Sequence, residues 1–168
     1  MTLSGANTYT GVSQVSAGKL VIAAGAGITS NIGVSIGAEL DNAGGIAGSA
    51  GTLAAGNVAN SGTFRNTATG TVAGILQNSG AATNAGALNG GVFNGFGAVM
   101  TTSGTVGGGL DNNAGTYTQT AGATNGGTTN SGIINANGGA FNGAVSNSGG
   151  AFIVGGAVTS DATFNNSA

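Results

Sequence analysis

The sequence predicts an all-β fold, a parallel β-helix (β-solenoid) of about nine rungs with 17 to 18 residues each. Three observations carry this expectation. Gly supplies 37 of 168 residues, about three times ordinary usage. A short Asn-Ser/Ala-Gly motif returns at nearly constant intervals. Setting the intervals under one another leaves three apolar columns, hence three sides per turn. The composition excludes the competing classes. Collagen needs Pro in quantity and the chain has none. Ordinary disorder is rich in charge, whereas only Lys19, Arg65, Glu39, Asp41, Asp111 and Asp161 are charged here. With few aromatics (six Phe and two Tyr), elements must approach closely through small residues, as stacked strands do.

From the N-terminus, Met1 to Gly5 carries no charged segment leading into an apolar core, so no signal peptide is read there. The apolar run Leu20 to Ala24 suits a strand and is far too short to span a bilayer. Residues 1–41 form a first group of rungs and residues 42–168 a more regular Asn/Gly-rich group, one continuous solenoid. In the second group the motif appears at Asn42, Asn60, Asn78, Asn113, Asn130 and Asn147. The gap between Asn78 and Asn113 is a double interval, with Phe96-Gly97-Ala98 in the place of the missing copy. Asn84-Ala85-Gly86 lies off this register and marks a second corner; Asn166-Ser167-Ala168 closes the series.

The first column holds Ile46, Phe64, Ala82, Met100, Tyr117, Ile134 and Ala151. The second holds Leu53, Val72, Leu88, Val106, Ala123, Phe141 and Val158. The third holds Val58, Ile75, Phe93, Leu110 and Val145, and it fails at Thr128 and Thr129. Helical repeats need about 33 residues or more per unit, which this period does not provide. Gly and Asn tolerate the left-handed backbone of sharp corners, and Asn-Gly steps at Asn89, Asn94, Asn125, Asn137 and Asn142 mark further ones. Asn in the same corner of successive rungs is expected to form a ladder of amide hydrogen bonds, as in stacked cross-β structures. Nine rungs make a rod about 43 Å long. No polar cap is evident at either end, so the chain reads as a piece of a longer array or as a protein that stacks end to end.

The segment Leu3-Ser4-Gly5-Ala6-Asn7-Thr8-Tyr9-Thr10-Gly11, followed by Val15-Ser16-Ala17-Gly18-Lys19-Leu20-Val21-Ile22, resembles the passenger-associated transport repeat of bacterial autotransporters. Val12, Ser13 and Gln14 depart from the usual Gly, Thr and Thr. The resemblance implies a right-handed β-helix, exported through the outer membrane and displayed at the bacterial cell surface as a passenger domain, stalk or adhesin. It also implies a translocator barrel in a longer chain and a host or cell-surface ligand. Eighteen residues also suit three hexapeptides of a left-handed helix; the 17-residue rungs and the off-register motif favour the right-handed type.

The same composition bounds the chemistry. Without His or Cys, zinc sites of the usual kind and Ser–His or Cys–His nucleophiles are excluded. Two cations against four carboxylates cannot neutralise a run of phosphates, so no nucleic-acid partner is expected. Glu39 and Asp41 share one strand face about 7 Å apart, a separation that suits a glycosidase pair, but two solvated surface charges are the ordinary account, with Lys19 and Arg65 isolated. Asp111 and Asp161 fall several rungs away. Gly107-Gly108-Gly109-Leu110-Asp111 is a single echo of a calcium-binding repeat. The stretch from Gly11 to Lys19 has the wrong spacing for a phosphate loop. Thr116, Thr118 and Thr120 form one stripe of an ice-binding type that neighbouring rungs do not continue. Tyr9, Tyr117, Phe93, Phe96, Phe141, Phe152 and Phe164 are read mainly as inward rung residues. The expectation is a non-enzymatic segment with no catalytic residue, cofactor or metal, no membrane insertion, and a capacity for end-to-end self-association into oligomers or filaments; a polysaccharide-acting β-helix enzyme ranks below these.

Overall fold

A computed structural model describes residues 1–9, 11–48 and 55–167. Leu53 of the second apolar column, Thr10 of the N-terminal repeat and Ala168 lie outside them. The described residues form three parallel sheets of nine strands each and no helix. Every rung gives one strand to each sheet, so the expected β-solenoid of about nine turns is what the chain forms. Sheet 1 runs from Thr2–Leu3 through Lys19–Ile22, Glu39–Asn42 and Thr63–Asn66 to Ala151–Val154. Sheet 2 runs from Ala6–Asn7 through Gly45–Ala47 to Val158–Ser160, and sheet 3 from Ser13–Val15 through Val58–Asn60 to Phe164–Ser167.

Strands this short cannot hold a core alone. Each buries alternate side chains against the rungs on either side, and the strand period of two keeps those side chains in columns. Sheet 1 stacks Leu20, Leu40, Phe64, Ala82, Met100, Tyr117 and Ile134. Sheet 2 stacks Ile28, Ile46, Val72, Leu88 and Val106, and sheet 3 stacks Ile32, Val58, Leu76, Val92 and Leu110. All of these are buried.

Several column assignments change. Ile46 belongs to sheet 2, and Leu40 takes its place in sheet 1. The connection from Gly45–Ala47 to Val58–Asn60 lengthens that rung, so Asn42 and Asn66 are register partners 24 residues apart. A fixed period therefore slips at this point. Ile75 and Phe93 face outward, while their neighbours Leu76 and Val92 fill the column. Ala151 and Ala123 yield likewise to Phe152 and Thr124, and Val158 to Ser160. In all of these but the last, two adjacent residues compete and a one-residue shift exchanges the faces; Val158 and Ser160 are two apart, and Val158 stays packed against the core. The failure of the third column at Thr128 is real: this residue is buried and its hydroxyl has no partner.

The Asn ladder forms, and there are two of them. In sheet 3, Asn60, Asn78, Asn94, Asn112, Asn130, Asn147 and Asn166 are linked Nδ2 to Oδ1 in sequence at 2.5–2.9 Å. Asn94 fills the gap assigned to Phe96-Gly97-Ala98, and Asn112 rather than Asn113 is the member in its rung. Asn42 starts the second ladder, in sheet 1, which passes through Asn66 and Asn84 to the Thr102 hydroxyl. The off-register Asn84 thus marks a second corner, as expected. Each sheet 3 amide from Asn60 to Asn130 also donates to a backbone carbonyl, such as Asn112 to Ile133 at 3.1 Å. A ladder needs a first donor, and none precedes Asn60: its register partner is Val34, and Asn60 Oδ1 is buried without a partner.

Beyond Thr102 the second ladder gives way to a buried network. The Tyr117 and Thr124 hydroxyls lie 2.7 Å apart, Thr124 donates to Gln119 Oε1 at 2.6 Å, and Gln119 donates to the Gly138 and Ala140 carbonyls. Burial pushes the Tyr117 phenol above its ordinary pKa of 10.0, against a smaller opposing effect of the Thr124 bond. The folded chain therefore retains a proton that the unfolded chain releases above pH 10. Stability contributed by this phenol is complete below pH 10 and falls as pH rises further, by about 1.4 kcal/mol per pH unit. Urea unfolding from pH 9 to 12 is expected to show this slope. Tyr117→Phe, which cannot ionise, is expected to remove the phenol's share; an unchanged slope would count against the assignment.

Candidate functional site

An outward side chain in this fold stands directly beside the outward side chains of the rungs above and below, so function must be sought along those rows. The charges illustrate the point. Glu39 and Asp41 share one strand and one face, as expected, but Lys19 is not isolated. It lies opposite Glu39 in register and its Nζ reaches Glu39 Oε1 at 3.0 Å and also Asp41 Oδ2. The Asp41 hydrogen bond, then that of Glu39, holds the ammonium pKa above its usual value. The carboxylate pair is thus committed to a structural ion cluster. Lys19 and Glu39 are 20 residues apart, outside the 17- to 18-residue period, which is why spacing alone did not join them.

The remaining carboxylates are dispersed. Asp111 lies on sheet 3, where Thr129 donates to it at 3.1 Å. Asp161 accepts from the Gly143 amide at 2.7 Å. Among the described residues no three of His, Cys, Asp and Glu come together in a possible metal site. The Thr116 and Thr118 stripe has Val99 and Thr101 on one side and Ile133 and Asn135 on the other, so the hydroxyl array is broken in the way its sequence implied. Of the aromatics, Tyr117 and Phe141 are buried and Phe152 partly so. Tyr9, Phe93 and Phe96 instead face outward, and Phe164, although in an inward column, is 49% exposed on the last rung.

Among the described residues a depression of about 420 Å³ lies at the last rung, over Phe141, Val145, Phe152 and Phe164, and two others lie on the sides of the rod. The larger, about 600 Å³, runs along the corner between sheets 2 and 3 over Gly90, Gly108 and Gly126, with Phe93 and Asp111 on its wall. Its glycine floor has a structural cause, because a Cβ on Gly108 would press into the Gly90 backbone of the rung before it. The smaller, about 230 Å³, lies on the outer face of sheet 1 and the corner after it, lined by Arg65, Thr67, Thr83, Thr101, Ser103 and Thr120. Arg65, Thr83 and Thr101 are consecutive register partners. Their positions differ by 18 residues at each step, a signal already present in the sequence but unused while Arg65 was treated as isolated. Compared with known proteins, the chain matches no family model, no curated protein and no solved structure.

Proposed function

We propose that the chain is a non-catalytic β-solenoid spacer, a passenger segment that a bacterial autotransporter displays at the cell surface as a stalk or adhesin. The observation carrying this proposal is the unbroken register of nine strands in each of three sheets. Such a body resists bending through stacked columns and continuous amide ladders, and its acid–base groups are dispersed or neutralised. The residues of the N-terminal resemblance support it, since they build the first turns. Leu3 and Leu20 point inward, Asn7 donates to the Gly5 and Gly27 carbonyls, and Gly5 and Gly18 take left-handed turns. The test is the coding frame together with activity. A translocator barrel in the same frame, and no product from a panel of polysaccharides, are expected. A frame lacking any export module, or cleavage of a polysaccharide, would overturn the proposal.

End-to-end assembly is a second proposal, favoured by the last described rung. Phe164 and Val154 are exposed there although both continue inward columns, and no described strand pairs with the far edge of Ala151–Val154. Such an edge is a template for another chain. A second copy continuing the same register would set Leu3 on Val154 and Asn7 on Ser160, like on like. It would also set Ser13 on Phe164 and Val15 on Asn166, which are mismatched. The contact is therefore expected to be weaker than any internal rung junction. Light scattering should show mass rising with concentration and Phe164→Ser suppressing the rise; a monomer at every concentration would overturn this second proposal.

A further inference from the structure

Outward polar side chains of this solenoid commonly bond to their register neighbours. Lys19 pairs with Glu39, Thr129 with Asp111, Asn135 with Thr118 and Asn142 with Asn125. Others, such as Gln77, Thr105 and Ser146, bond to no described residue, and one group of these gathers in a cleft. The Arg65 guanidinium and the hydroxyls of Thr83, Thr101 and Ser103 are exposed, line one cleft, and bond to no described residue. Asp41 stands opposite Arg65 in register, yet its carboxylate is engaged by Lys19, and its second oxygen is enclosed without a partner.

We infer that this cleft binds an acidic polysaccharide, a chain of uronate-type sugars lying along the solenoid axis, with Arg65 on a carboxylate and the three hydroxyls on sugar hydroxyls. The guanidinium fork matches a carboxylate in two parallel hydrogen bonds. From Arg65 the line of hydroxyls extends over two further rungs, about 10 Å, so the complementary ligand is elongated and polar rather than a single small anion. A peptide strand fits less well, because the backbone groups of these central strands are already consumed by the parallel ladder and the cleft is lined mostly by polar residues, with only Ala68 and Ala85 apolar. This inference is independent of whether a translocator displays the chain.

The test is an NMR titration of the ¹⁵N-labelled chain with a galacturonate trimer, a neutral maltotriose and a sulfated heparin-type oligosaccharide. The uronate is expected to shift the Arg65 side-chain signal and the amides of Thr83, Thr101 and Ser103, with the neutral sugar leaving them in place. Arg65→Gln is expected to weaken binding about tenfold or more. Arg65→Lys should recover only part of it, since an ammonium keeps the charge but loses the fork. Asp41→Asn, which removes the competing carboxylate, should bind at least as tightly as the parent. Unchanged far-UV spectra would show that the variants remain folded. Equal binding of the neutral sugar, indifference to Arg65→Gln, or shifts confined to another face would overturn the inference. Tighter binding of the sulfated chain than of the uronate would overturn the choice of carboxylate.

Discussion

Replacing Asn112 with Ala is expected to cost about 3 kcal/mol of stability, with no loss of apolar burial to explain it. Asn112 is fully buried at the middle of the sheet 3 ladder. Its oxygen accepts from Asn94 at 2.8 Å, and its nitrogen donates to Asn130 Oδ1 at 2.6 Å and to the Gly115 and Ile133 carbonyls, both at 3.1 Å. Truncation would leave these groups facing a cavity out of reach of water, where the penalty is the desolvation of each orphaned group. Asn112→Asp separates hydrogen bonding from shape. The carboxylate has the same outline but no donor, so at neutral pH it would set a negative charge against three acceptor oxygens. It is expected to destabilise more than Ala at pH 7 and to recover partly in acid, where a protonated carboxyl again donates. Urea denaturation of the parent and both variants at pH 7 and pH 4 measures this. An Asp variant as stable as the parent would show that the ladder contributes little beyond packing.

The ladder also shows what kind of information the sequence carries. The period, the three sides and the Asn corner are legible because stacking in register repeats one chemical demand every rung. Asn78, Asn130 and Asn147 meet the same amide above and below, so the same residue returns. Facing is less legible. Ile75 and Leu76, or Val92 and Phe93, are adjacent apolar pairs of which one is buried, and hydrophobicity alone does not say which. The decision is made by register, which depends on the length of every preceding corner. The long rung between Asn42 and Asn66 resets the count for all that follows, moving Ile46 to another sheet. The surface is legible only after register is known. Lys19 meets Glu39 through a longer N-terminal rung, and Arg65 aligns with Thr83 and Thr101 only once the rows are drawn. Position 112 has a related cause: Ala114 adopts a left-handed φ of 57°, and the corner after Asn112 is correspondingly longer, so the tripeptide starting at Asn113 begins one residue past the ladder.

Glycine scarcely enters the apolar columns, yet a single glycine substitution is expected to rival the loss of a ladder amide. Gly104 sits in the corner between sheets 1 and 2, stacked on Gly86, which is itself stacked on Gly70. A Cβ at Gly104 would overlap the Gly86 carbonyl oxygen and lie 2.6 Å from the Ala85 carbonyl carbon. These are backbone atoms and cannot turn aside as a flexible side chain could. The same carbonyl accepts the Thr105 amide at 2.8 Å, so relieving the overlap parts two rungs and lengthens a hydrogen bond of the ladder. Gly104→Ala is expected to cost roughly 3 kcal/mol, in the range of overpacked cores, and to lower the melting temperature by roughly 6–12 °C for a chain of this length. Gly18 provides the control. It has a left-handed φ of 67° but open space around its missing Cβ, so Gly18→Ala carries only the conformational strain, about 1 kcal/mol. Close approach between rungs, rather than turn geometry, is then the larger constraint on glycine in this solenoid. Equal melting temperatures for the two variants would reverse that order.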